Sequence, residues 1–89
     1  VFQFDCDGLA CRAQFSFFAD GEPAELFLDV GKVGSAASIA AHDGAISASL
    51  AMQFGVDSQT LAHALQRLRD GRAAGPIGKA FDLLEGRTR

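Results

Sequence analysis

Two glycine-rich stretches, two cysteines and two histidines are the residues of this 89-residue chain whose types and spacing could do chemistry. Gly31-Lys32-Val33-Gly34-Ser35 follows a strand-like run directly, and Gly75-Pro76-Ile77-Gly78-Lys79 has Arg72 nearby. Each leads into a helical pattern, where free backbone N–H groups can take an anion. Lys32, Ser35, Arg72 and Lys79, with Gly31 and Gly34, are therefore candidates for holding a phosphate-bearing small ligand. Neither stretch is a P-loop: Ala80 follows Lys79 where Ser or Thr is needed, and no glycine sits five residues before Gly78. Neither has the dinucleotide-binding spacing either. Tight turns are the preferred explanation of both stretches.

The cysteines do less. A tight turn at Asp7-Gly8 sets Cys6 and Cys11 one register step apart on one face of a hairpin, at the outer limit for a bridge. A four-residue loop would place them opposite each other; buried free thiols are the expectation. Metal binding needs more ligands than a cysteine pair supplies. His42 and Asp43 are neighbours in sequence and diverge by about 100° on a helix. His63 falls opposite a leucine stripe. No His-x-x-x-His pair is present, and the acids Asp5, Asp7, Asp20, Glu22 and Asp29 fall on turns and a polar strand face. The chain carries no complete catalytic kit, and neither a metal nor a cofactor is expected.

The elements that would position these residues can be read in order. Phe2, Phe4 and Cys6 alternate with Gln3, Asp5 and Asp7, and Asp7-Gly8 marks a hairpin turn. A second strand runs from about Leu9 to Ala19, Asp20-Gly21 repeats the turn signal, and a third strand spans about Ala24 to Val30. Two-residue loops at both corners pair Phe4 with Cys11, Phe2 with Ala13, Phe15 with Leu26, Ala13 with Leu28 and Cys11 with Val30. One face then gathers Phe2, Phe4, Cys6, Leu9, Cys11, Ala13, Phe15, Phe17, Leu26, Leu28 and Val30. A slip of one residue would turn a strand's apolar set outward, so the agreement specifies an antiparallel meander. The opposite face is polar except for Phe18 and Phe27, which mark a contact surface unless the sheet's twist or tail residues cover them.

Ser35 is the expected N-cap of a long helix. Ile39, Ile46, Leu50 and Phe54 recur at helical spacing and are expected to face the sheet, while Ala37, Ala41, Ala45 and Ala48 form a small-residue stripe open to close approach. Gly44 points to tight packing, and Gly55 suits the left-handed position that ends a helix. Asp57 caps a second helix carrying Leu61, Leu65 and Leu68 and stopped by Gly71. Pro76 begins a third, with Ile77, Ala80, Phe81 and Leu84 on one face and Gly86 at its end. The fold class expected is α+β: a three-stranded antiparallel meander with one face covered by three C-terminal helices, order βββααα, in a single domain over 1–89.

The run AELFLDVGKVGSAASIAAHDGAISASLAMQFGVDSQTLAHAL resembles the TSCPD domain, found at the C-terminal end of adenosylcobalamin-dependent ribonucleotide reductases and as small free-standing bacterial proteins. The strand ELFLDV, the GK-x-GS turn, the small-residue helix and QFGVD before a leucine-spaced helix carry the likeness. GPIGKAFDLL resembles the tail of the free-standing versions. The resemblance implies a non-catalytic accessory or protein-interaction module partnered by a nucleotide-metabolism protein; small size and a Phe-rich face separately lead to the expectation of a homodimer, because pairing buries what the monomer leaves out. The alternative is a small-anion or nucleotide-binding regulatory domain. The reductase chemistry belongs to a separate barrel, and no catalytic residue carries over. Some relatives use CxxC-type cysteines for zinc or redox work; Cys6 and Cys11 lack that spacing.

Composition is consistent with this. The net charge of −3 argues against a general nucleic-acid binder. Residues 1–43 carry net −5 and residues 44–89 net +2, with Arg67, Arg69, Arg72, Lys79, Arg87 and Arg89 as a modest basic patch or simply a solvated helix face. Apolar residues make up 48% of the chain, with eight Phe and no Trp or Tyr, enough for a real core. No apolar run approaches the roughly 20 residues of a membrane helix, and a cytoplasmic setting is expected.

Overall fold

The computed structural model describes residues 1–87; Thr88, Arg89 and the side chain of Arg87 lie outside the described residues, and with them two members of the basic patch. Strands β1 (Phe2–Cys6), β2 (Leu9–Phe17) and β3 (Pro23–Val30) form one antiparallel sheet in the order β1-β2-β3. Helices α1 (Ala36–Gln53), α2 (Ser58–Ala64) and α3 (Pro76–Arg87) follow. No described helix is long and apolar enough to cross a membrane.

The first corner is the tight turn expected. Asp7 and Gly8 both take positive φ, 52° and 81°, and Cys6 pairs with Leu9. That conformation matches the right-handed twist of the strands, and Gly8 takes it without a side-chain clash. The second corner differs. Phe18 N–H donates to Glu22 O at 2.8 Å and Gly21 N–H to Phe18 O at 2.9 Å, so the loop is the three residues Ala19–Gly21. Phe17 consequently pairs with Pro23, β2 stops at Phe17, and the register shifts between Ser16 and Phe17. Ala24 is the extra residue in β3 that absorbs the shift. From Ser16–Glu25 onward the expected pairs return: Phe15 with Leu26, Ala13 with Leu28, Cys11 with Val30. Two irregularities of one residue cancel, and the apolar face is kept.

The helix over that face is turned the other way from the expectation. Ala41, Ala45, Ala48 and Met52 are buried against the sheet, whereas Ile39, Ile46 and Leu50 are 54%, 49% and 52% exposed and Phe54 is exposed too. Closeness is the reason. The Ser49 hydroxyl accepts from Leu26 N–H at 2.9 Å and lies 3.2 Å from Leu26 O and 2.8 Å from Ala45 O. Around Ser49 an α1 seated this near β3 leaves room for the methyl groups of Ala41, Ala45 and Ala48 and none for isoleucine; Met52 is buried only in the last turn. The capping expectations hold: Ser35 Oγ accepts from Ser38 N–H at 3.2 Å, and Gly55 takes a φ of 98° just past the end.

Helix α2 is shorter than its leucine spacing implies. Asp57 caps it, accepting from Gln59 N–H at 2.9 Å, but it ends at Ala64 with Leu65 already extended. Residues 66–74 instead fold back on themselves: Ala74 N–H donates to Gln66 O, Leu68 N–H to Arg72 O, and Gly71 turns the corner at a φ of 90°. Arg67 holds this hairpin down. Its guanidinium donates to Asp82 of α3 at 2.6 and 3.0 Å and to the Ala62 carbonyl at 2.9 Å. Such a bidentate pair, with a helix-end carbonyl taken as well, gives the chain a better use for these groups than another turn of α2. Leu68 is left exposed.

Helix α3 packs as its pattern dictates, with Ala80, Phe81 and Leu84 buried and the Phe81 ring 5.5 Å from that of Phe15. Gly86 lies inside its last turn instead of closing it, where a helical glycine costs only about 1 kcal/mol. Gly44 marks the crossing of α1 and α3: a Cβ there would collide with the tip of Ile77. Leu9 and Phe17, at the two ends of β2, stay exposed although they belong to the apolar set.

Candidate interaction surface

The residues proposed to hold an anion are mostly engaged within the chain. Gly31 and Gly34 take φ of 61° and 85°, as a tight turn requires. The Gly31 N–H donates to Ala10 O at 2.9 Å and the Ser35 N–H to Lys32 O at 3.1 Å. The Ser35 hydroxyl is spent as the cap of α1, and Arg72 Nε is tied to Asp70 at 2.6 Å. Lys32 is exposed and Lys79 half-buried. The grooves described below include none of Lys32, Ser35, Arg72 and Lys79 among their walls.

Cys6 and Cys11 are both free and buried, and no group of three or more His, Cys, Asp or Glu among the described residues is placed to hold a metal ion. Burial pushes the Cys11 thiol above its ordinary value, and the nearby Cys6 and Asp5 push it the same way. The folded chain therefore keeps this proton more tightly than the unfolded chain does. This contribution to stability is complete below an unfolded thiol's value of about 8.5 and is lost as pH rises through the folded value. Iodoacetamide at neutral pH is expected to label the native chain more than about tenfold more slowly than the urea-unfolded chain, because the thiolate is the nucleophile. Equal rates, by mass spectrometry, would show that the thiols are not shielded.

The unusual chemistry of the surface lies on the outside of α1. Ile39, Ile46 and Leu50 stand at i, i+7 and i+11, on the side of the helix away from the alanine row. Helices that are apolar all round belong in interiors. Asp43 is the one charge in this outer row. Beside it, a groove of about 310 Å³ runs between α1 and β3, walled by Phe27, His42, Ile46, Leu50 and Gln53. Phe27 is 53% exposed and continues the apolar surface onto the sheet. Phe18 is exposed as well but walls a different groove, beside Met52 and Val56 at the α1–α2 junction. The two phenylalanines thus border separate sites, one along the middle of β3 and the other at the corner before it.

A third groove, about 250 Å³, lies where Phe17 and Pro23 meet Ala62, Phe81 and Leu84. Its rim carries Glu22 and Glu85. The outer-row surface of α1 was missed in sequence because both faces of this helix are apolar, and the larger side chains were assigned to the core. The alanine row was the available signal: of its four members Ala41, Ala45 and Ala48 lie on the side that approaches the sheet, while Ala37, in the first turn, stays exposed. Comparison with protein-family models, with curated proteins and with solved structures gives no match.

Proposed function

We propose that this chain is a non-catalytic accessory module whose work is to bind protein, and that the outer face of α1 is where it does so. One observation carries the reading: α1 buries Ala41, Ala45 and Ala48 and turns Ile39, Ile46 and Leu50 to solvent. Leaving three large aliphatic side chains half in water while burying methyl groups wastes apolar area unless something covers them. The resemblance to the C-terminal TSCPD domain of ribonucleotide reductases supports the same role and adds a nucleotide-metabolism protein as a class of partner. The absorbed hydroxyl of Ser35 and the Arg72–Asp70 pair leave the anion-binding alternative fewer groups to work with.

The test has two arms. Immobilised chain is expected to retain a protein, another or its own kind, that Ile46→Glu/Leu50→Glu no longer retains. A panel of nucleotides at millimolar concentration is expected to leave the melting temperature unmoved, since ligand in excess must stabilise the native state. Retention indifferent to the α1 substitutions, together with a nucleotide-dependent rise in melting temperature, would replace this reading with the anion-binding one.

A further inference from the structure

We propose that the corner between β2 and β3 is a second docking surface, shaped for a basic segment of another protein in which lysine or arginine alternates with apolar side chains. It stands apart from the outer face of α1: the groove at Phe27 and the grooves at this corner have no wall residue in common. Two grooves meet here. Phe17, Phe81 and Leu84 line the one of about 250 Å³, and Phe18, Met52 and Val56 line the other, of about 510 Å³. Glu22, Pro23, Ser58 and Gln59 wall both, so the two adjoin. The closure of the corner creates this surface. The loop Ala19–Gly21 pairs Phe17 with Pro23, and Phe17 and Phe18 are left 52% and 43% exposed, one beside each groove.

The charge of the surface has one sign. Every ionisable residue lining the two grooves is an acid: Asp20, Glu22 and Asp57 along the larger, Glu22 and Glu85 along the smaller. The ion pairs of Arg67 with Asp82 and of Arg72 with Asp70 involve none of them. Asp57 spends both oxygens on the first turn of α2, and Glu85 has an interaction within the chain. Asp20 and Glu22 are the exposed charges left to meet a partner. Their positions are fixed beforehand. The Glu22 N–H donates to Asp20 Oδ1 at 2.9 Å, and Phe18 N–H and Glu22 O close the loop at 2.8 Å. A lip ordered in advance lowers the cost of ordering on binding.

An apolar floor under an acidic lip selects an occupant with both characters, since potentials across an interface are complementary and its centre is apolar. A small polyamine would satisfy the acids and leave Phe17, Phe18 and Val56 in water. Nucleic acid and acidic segments are repelled. Adjoining grooves suit neighbouring side chains of one extended segment, with its cations over Asp20 and Glu22.

The probe is a short fluorescein-labelled peptide in which lysine alternates with leucine or phenylalanine, read by fluorescence polarisation against the full chain. Binding is expected to weaken about tenfold on going from low salt to about 0.5 M salt. Asp20→Asn/Glu22→Gln keeps the oxygen that accepts from the Glu22 N–H and is expected to weaken binding about tenfold as well, with an unchanged circular dichroism spectrum. Phe18→Ala is expected to cost about fivefold. Ile46→Gln/Leu50→Gln is expected to leave the affinity unchanged, which separates this surface from the face of α1. Amide shifts on titration are expected at Gly21 and Ser58 and not at Ile46. The same peptide with glutamate for lysine, or with glycine and serine for its apolar residues, is expected not to bind. Equal binding of either control peptide, or affinity indifferent to Asp20→Asn/Glu22→Gln, overturns the proposal. So does a probe that fails to bind at millimolar protein, or one whose shifts centre on Ile46.

Discussion

Phe81→Ala is expected to destabilise the domain by about 3–5 kcal/mol, the cost of cutting a buried aromatic side chain back to a methyl group. Domains of this size are stable by only about 5–15 kcal/mol, so the substitution removes a large part of the total. Phe81 is buried on α3 and its ring meets Phe15 of β2, so it ties the last helix to the sheet. Few alternatives exist to compensate. No large side chain among the described residues is completely sealed from solvent, and much of the buried set is alanine. Urea unfolding followed by circular dichroism gives the answer as a fall in midpoint. A loss below about 1 kcal/mol would mean that α3 is not seated as described, since surface changes lie within about 0.5 kcal/mol.

The second large effect compares two neighbours. Ala45→Leu is expected to cost about 1–3 kcal/mol or more, because overpacking drives backbones apart. Ala45 is 2% exposed, and one turn away Ser49 holds the Leu26 backbone at hydrogen-bond distance. Three added carbons must either break that bond or leave their rotamers. Ile46→Ala is expected to change monomer stability by no more than about 0.5 kcal/mol, since Ile46 is a half-exposed surface residue and alanine is the better helix former. Enlarging a small residue therefore damages the fold more than truncating a large one beside it. Measured at protein concentrations low enough to dissociate any assembly, the opposite order would put isoleucine in the core and alanine outside.

Both predictions turn on how α1 lies, and here the sequence was only partly legible. The three strands and their register from Ser16–Glu25 onward follow from alternation, because a period of two leaves only one way to gather Phe15, Leu26, Ala13 and Leu28 on one side. Caps at Ser35 and Asp57 follow from residue type, as their oxygens satisfy N–H groups within three residues. Local chemistry of this kind reaches no farther than the residues beside it. The second corner shows the boundary: Asp20-Gly21 marks a turn, but whether the loop holds two residues or three depended on Ala24 being free to bulge. Likewise the spacing of Leu61, Leu65 and Leu68 is helical, yet Arg67 has a better partner in Asp82, fifteen residues away.

The α+β class, the meander, the order βββααα and the burial of both cysteines were determined by the sequence alone, through periodicity and turn chemistry. Which face of α1 looks inward was decided only by tertiary structure. Hydrophobicity by itself favours burying Ile39, Ile46 and Leu50, but α1 is held close to the sheet by Ser49 on Leu26 and close to α3 by Ile77 over Gly44, contacts between residues far apart in the chain. Beside Ser49 that distance leaves space for alanine, with Met52 buried only in the last turn of α1, and sterics overrule the larger transfer free energy of isoleucine.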